Sequence, residues 1–250
     1  MIFDLFRMGS LDETARIQLI MNFGVRVFVI LCVLPIHEYA HALMADKLGD
    51  RTARLKGRLT MSPFAHIDPI GALMILLCGF GYAKPVPVNM RNFRKTRKKD
   101  TDNIYYFGSN TVFDSRYAKR CMAAVAFAGP LSNVIMAFIS LILSNLVGAF
   151  VPATTLGIIV YYFFHFCASI NINLAVFNLL PIPPLDGSRI ISVIIPDKYY
   201  FKIMQYERYI RIAILLLLFT NVLTVPLSAL SSLLYNALNF VASIPFSYIV

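Results

Sequence analysis

The residues His37-Glu38-Tyr39-Ala40-His41 hold the clearest chemistry in the sequence. If this stretch is helical, positions i and i+4 stand on one face about 6 Å apart along the axis, so two imidazoles can grip one metal ion. Glu38, one residue on from the first imidazole, is then placed to take a proton from a water beside that metal. This is the arrangement of zinc hydrolases. With four histidines and three glutamates in 250 residues, an undirected match to HExxH is expected in roughly one such chain in a thousand. The surroundings are also apolar, where ionisable side chains are costly and usually functional.

A catalytic zinc takes a third protein ligand and leaves its fourth position open. Asp186 is the first charge after a long uncharged stretch and lies in Asn178-Leu-Leu-Pro-Ile-Pro-Pro-Leu-Asp-Gly187. Pro181, Pro183 and Pro184 end a helix there and Gly187 permits a sharp bend, so the carboxylate can turn back toward the histidines. Asp186 can equally cap a helix over Ser188 to Ile195; the unfilled HExxH tips the balance toward the metal. His66 and Asp68 are the next candidates, although an Asx-type turn opening the following segment explains them better. His165, within Tyr161-Tyr-Phe-Phe-His-Phe, reads as a packed, hydrogen-bonded residue. Asn133, Asn171 and Asn173 read as bonds between helices.

The elements that must position these residues are membrane elements. The chain is 58% hydrophobic and 14% charged, against about 25% charge in a soluble domain, and its mean hydropathy is +0.68. No charge falls between Arg120 and Asp186, and none follows Arg211. A soluble enzyme, a disordered chain and a disulfide-stapled domain are excluded; Cys32, Cys78, Cys121 and Cys167 stand singly in apolar segments. Residues 1–13 carry three acids and one Arg and lack the apolar core of a cleaved signal peptide.

The expectation is an all-α polytopic membrane protein forming one domain over 1–250. It has a catalytic core over about 17–195, C-terminal spans over about 207–250, and about five transmembrane helices. Spans are placed at about Ile17 to Leu48, Cys121 to Phe150, Thr155 to Leu180, Ile210 to Val225, and Leu227 onward. Pro69 to Ala83, broken by Gly71, Gly79 and Gly81, is too short for a crossing and is assigned as re-entrant, between the first and second spans. Of the 23 Lys and Arg, 47–58 holds five, 84–120 holds ten and 189–211 holds five. With 69–83 re-entrant, all 20 share one face, which by the positive-inside rule is cytoplasmic. The net charge of +10 is therefore assigned to topology and lipid contact, with Arg91 to Lys99 as a lipid-facing loop, and no nucleic-acid partner is expected.

HEYAH, then AGPLSN at Ala128 to Asn133, then NLLPIPPLDG at Asn178 to Gly187 together resemble the site-2 protease family of intramembrane zinc metalloproteases. HIDPIG at His66 to Gly71 and GFGYAKPVPVN at Gly79 to Asn89 resemble its compact bacterial branch; the likeness covers roughly residues 30–190. It implies that His37, His41 and Asp186 hold one zinc ion per chain, with Glu38 as general base. Asn178 is then near the metal and donates to the substrate carbonyl. Ser62 before Pro63 departs from the family, which more often has Asn there. The implied setting is a bacterial plasma membrane, with the site toward the cytoplasm and transmembrane proteins as substrates.

Such an enzyme must open its substrate helix to expose a carbonyl. Thr52 to Met61 and Phe80 to Asn89 show extended character, with alternation in Ala53-Arg-Leu-Lys-Gly-Arg-Leu and Pro85-Val-Pro-Val. They are the predicted β-containing part of the re-entrant region, with an edge that can pair with an opened substrate. A metal or ion transporter is the alternative for His and Asp within spans, but no internal repeat accompanies them. A catalytically dead scaffold would be expected to lose Glu38.

Overall fold

The computed structural model describes residues 12–78, 81–93, 115–152, 154–220, 222 and 224–246. Its helices are α1 (Glu13–Phe28), α2 (Leu34–Lys47), α3 (Thr52–Leu55), α4 (Pro63–His66), α5 (Pro69–Cys78) and α6 (Ser115–Phe150). They are followed by α7 (Thr155–Asn178), α8 (Asp186–Ile191), α9 (Asp197–Gln205), α10 (Glu207–Phe219) and α11 (Thr224–Ser243). Among the described residues there is no strand. The all-α polytopic class is thus borne out.

Asp12 caps α1 by accepting from the Ala15 amide. A π turn, Val29–Val33, then leads into α2, where the Leu34 amide donates to the Val29 carbonyl five residues back. Pro35, in the first turn of α2, has no N–H to give the preceding turn, and the wider turn absorbs that loss. The run Leu19–Lys47 is long and apolar enough to cross a membrane, as are Arg116–Phe150, Thr155–Asn178 and Val225–Phe246. That makes four such helices among the described residues. The fifth expected span, 210–225, differs: α10 has 13 residues, about 20 Å of helix, short of the roughly 20 residues a crossing needs.

The core lies where these long helices cross. Val25, Val29 and Val33 pack on Cys167 of α7, ringed by Phe28, Phe163 and Leu174. Ala137 and Leu141 of α6 meet Ala168, Ile172 and Val176 of α7, with Tyr235 and Leu238 of α11 closing both clusters. Ala42 and Ala45 of α2, and Ala118, Ala126 and Ala128 of α6, are buried. Small side chains let the two backbones approach closely. Cys32, Cys121 and Cys167 are free thiols.

α5 is 10 residues long, about 15 Å or half the hydrocarbon thickness. The Lys84 amide, past its far end, donates to the carbonyl of His66, before its near end, at 2.8 Å. A Cβ on Gly71 would strike the Tyr82 carbonyl, and one on Gly81 the Gly71 carbonyl. The element therefore leaves and returns at one point, the geometry of a re-entrant segment. Its β content is a correction: 52–61 begins with the helical turn α3 and then reverses at Gly57, whose φ is +66°. Residues 81–89 contain no helix or strand. Residues 94–114, most of the basic loop and including Arg94 to Lys99, lie outside the described residues.

Candidate metal centre

His37 and His41 project from α2, buried against α6. Asp186 arrives from the chain after α7. Three prolines stop that helix, Pro183-Pro184 is joined by a cis bond, and Gly187 lies so close to the Leu179 and Leu180 carbonyls that a Cβ would not fit. α8 starts at Asp186, and Leu185, its cap residue, gives no side-chain cap bond. Asp186 Oδ2 is 3.3 Å from His37 Nε2 and 3.3 Å from His41 Nε2, and the two Nε2 atoms are 3.0 Å apart.

His41 Nδ1 is 2.7 Å from the Val125 carbonyl. A carbonyl only accepts, so Nδ1 carries the proton and a neutral ring directs its Nε2 lone pair at the other two donor atoms. One proton can bridge only one pair in this triangle, whereas a divalent cation satisfies all three. A tetrahedral ion with bonds of about 2.0–2.1 Å separates its donors by about 3.3 Å. Donor set and spacing both fit zinc.

Glu38 and Asn178 line the same cavity, of about 290 Å³, with Tyr82, Pro85, Val86 and Arg189. Glu38 Oε2 accepts from the Val86 amide at 3.0 Å. His66 and Asp68 stand outside the centre. His66 Nε2 is 2.8 Å from the Thr60 carbonyl, and Asp68 Oδ1 accepts from the Ile70 and Gly71 amides, the expected Asx-type turn. His165 Nδ1 is 3.1 Å from the Tyr235 hydroxyl, as a packed residue would be. Asn171 donates within its own helix, to the Cys167 carbonyl, and neither side-chain atom of the buried Asn133 has a hydrogen-bond partner among the described residues.

Comparison with known proteins agrees with this geometry. The model of peptidase family M50 matches residues 143–218, which include Asp186 but not the HExxH helix. The zinc metalloprotease candidate YwhC of Bacillus subtilis is 38% identical over 198 residues, 78% of this chain and 80% of its own length. The chain belongs to peptidase family M50. The zinc metalloprotease candidate Rip2 of Mycolicibacterium smegmatis is 28% identical over 173 residues, 66% of this chain and 56% of its own. A counterpart in Methanocaldococcus jannaschii, MJ0611, is 45% identical over 68 residues, 27% of this chain and 32% of its own. No solved structure gives a significant match. The resemblance to site-2 proteases is thereby borne out.

Two features of this M50 chain were not read from its sequence. A Cβ on Gly129 would collide with His41 Nε2 and with Cε1 of both imidazoles, so α6 can pass the centre only with a glycine there. AGPLSN advertised the motif, but nothing in it says which helix the glycine faces. Gly129→Ala is expected to displace both imidazoles and cut zinc retention at least tenfold, comparable to the roughly 10–100-fold cost of losing an outer-shell partner. Zinc content of the purified variant checks this; unchanged zinc would contradict the packing.

The second is Asp50, fully buried beyond the end of α2. It accepts from the Thr52 amide and hydroxyl, from the Asn89 amide at 2.6 Å and from Asn92 Nδ2 at 2.9 Å. Burial alone would raise its pKa, yet the bonds from Thr52, Asn89 and Asn92 hold it below the ordinary carboxylate value. A depressed folded-state pKa contributes stability above about pH 4 that is lost as pH falls through the lowered value. Asp50→Asn should therefore cost about 1.5–3 kcal/mol near neutral pH and flatten the acid limb of stability. Thermal unfolding in detergent across pH 3 to 7 reads both effects; parallel wild-type and variant curves would refute the assignment.

Proposed function

We propose that the chain is an intramembrane zinc metalloprotease that cleaves transmembrane segments of other membrane proteins. The observation that carries this is the triangle of His37 Nε2, His41 Nε2 and Asp186 Oδ2 with sides of 3.0–3.3 Å, in a cavity that also holds Glu38. The relatives' names support zinc, and family membership disfavours the transporter reading. When bound, zinc supplies a Lewis acid that makes water nucleophilic near neutral pH and polarises a carbonyl.

His37 and His41 hold the ion as neutral imidazoles and Asp186 as a carboxylate, one ion per chain. Glu38 takes the proton from the attacking water and delivers it to the leaving amine. Its bond from the Val86 amide fixes one carboxylate oxygen and leaves the other for the proton. Asn178, at the end of α7, donates to the developing oxyanion. Residues 81–89 border the cavity, and Pro85 and Pro87 carry no amide N–H. The opened substrate lies against that segment. The test compares membrane proteomes of cells carrying wild-type and Glu38→Gln protein: fragments cut inside transmembrane segments should depend on Glu38. Glu38-dependent fragments cut only in soluble regions would overturn the reading.

The resemblance to the compact bacterial branch points to a bacterial plasma membrane, and the concentration of Lys and Arg in 47–58, 84–120 and 189–211 orients the site toward the cytoplasm. Single cysteines at Ser62 and Lys198, both exposed, should resist an impermeant thiol reagent in intact cells, while one at Thr154 should react. The opposite pattern would invert the topology.

A further inference from the structure

Away from the metal centre, a second cavity of about 370 Å³ opens between the first turns of α6 and the chain after α8. One wall carries Arg116, Lys119 and Arg120, and the other is residues 193–196. Positions i, i+3 and i+4 share one helix face, so the three cations converge. Lys119 Nζ also donates to the Ile195 carbonyl at 3.4 Å, tying the walls together. The opposite wall is apolar, and Ile194 is 83% exposed.

We propose that this cavity binds the phosphate of an anionic membrane lipid, with the lipid's apolar part running over Val193 and Ile194. The stretch from Cys121 to Phe150 is free of charge and makes about 45 Å of helix, which matches a bilayer including its headgroups. Arg120 and the two cations before it therefore stand at headgroup level. The amides of the first turn of α6 add partial positive charge there. Basic pockets between helices at this depth accommodate anionic headgroups. A soluble acidic partner would match the cations but leave Ile194 uncovered, whereas a lipid matches both walls.

The experiment titrates the purified, delipidated full chain in detergent with phosphatidylglycerol, phosphatidylcholine or inorganic phosphate, and counts bound molecules by native mass spectrometry. Phosphatidylglycerol should bind at least tenfold more tightly than phosphatidylcholine. The Arg116→Gln/Lys119→Gln/Arg120→Gln variant should lose that preference, while Arg51→Gln/Arg54→Gln/Lys56→Gln, with equal charge removed elsewhere, should keep it. Ile194→Asn, a neutral change at an exposed position, should weaken phosphatidylglycerol at least tenfold without adding charge beside the cations, and decides the matter if the triple variant does not fold. Equal affinity for the two lipids, or equal loss in both triple variants, would overturn the proposal. So would displacement by equimolar inorganic phosphate or by a soluble acidic peptide, which would make the cavity an anion or protein site.

Discussion

In Glu38→Gln protein, cleavage of a transmembrane substrate is expected to fall by at least about 10²-fold, the usual cost of removing general acid–base work, while bound zinc stays at the wild-type level. The two halves of this result follow from one geometry. Glutamine is nearly isosteric and its amide oxygen can still accept from the Val86 amide, which now meets Glu38 Oε2 at 3.0 Å, so the cavity keeps its shape. What the amide cannot do is take a proton from water and pass it on. Because Glu38 is not among the three side chains whose donor atoms converge, metal affinity should be indifferent to the change. Zinc analysis and a cleavage assay on one preparation read both quantities. Wild-type turnover in a zinc-replete variant would remove Glu38 from the reaction.

The three residues proposed to hold the metal should behave in the opposite way. His37→Ala, His41→Ala and Asp186→Ala are each expected to lose zinc and activity together, because two remaining donors are fewer than a catalytic zinc site uses. Zinc retention should fall by more than the roughly 10–100-fold that loss of an outer-shell partner costs. Asp186→Ala is the most informative of the three. Its carboxylate comes from the first residue of α8, far along the chain from His41, so its loss leaves α2 and its HExxH turn in place. Asp186→Ala protein that kept full zinc and full turnover would send the search for a third ligand elsewhere, and the side-chain bonds of His66 and Asp68 to their own loop make them poor replacements.

The all-α membrane class and the convergence of His37, His41 and Asp186 were legible in the sequence. HExxH carries its own geometry, since i and i+4 share a face only on a helix, and the uncharged run from Cys121 to Leu185 left Asp186 as the first carboxylate that could return to the histidines. Asp68 was legible for a similar reason: a carboxylate just before Pro69 has the helix's first free amides within reach. What escaped was set by contacts distant in sequence. The alternation over Ala53 to Leu59 reads as a strand, but Asp50 bonds the Thr52 amide, Ala53 is drawn into a cluster with Ala42 and Val86, and Gly57 turns the chain back. Local pattern lost to tertiary packing there. The 210–225 segment is apolar enough to be taken for a span, yet its helix begins at Glu207 and ends at Phe219. Gly129 depended on which face of α6 meets α2, and no spacing rule reports that.

The central claim is that His37, His41 and Asp186 jointly hold one zinc ion. X-ray absorption at the zinc edge of the purified, zinc-loaded wild-type chain tests it most directly. The geometry predicts one zinc per chain with a first shell of nitrogen and oxygen at about 2.0–2.1 Å and the multiple-scattering pattern of two imidazoles. Sulfur in the first shell at about 2.3 Å, fewer than two imidazoles, or an identical spectrum from Asp186→Ala protein at full occupancy would contradict it.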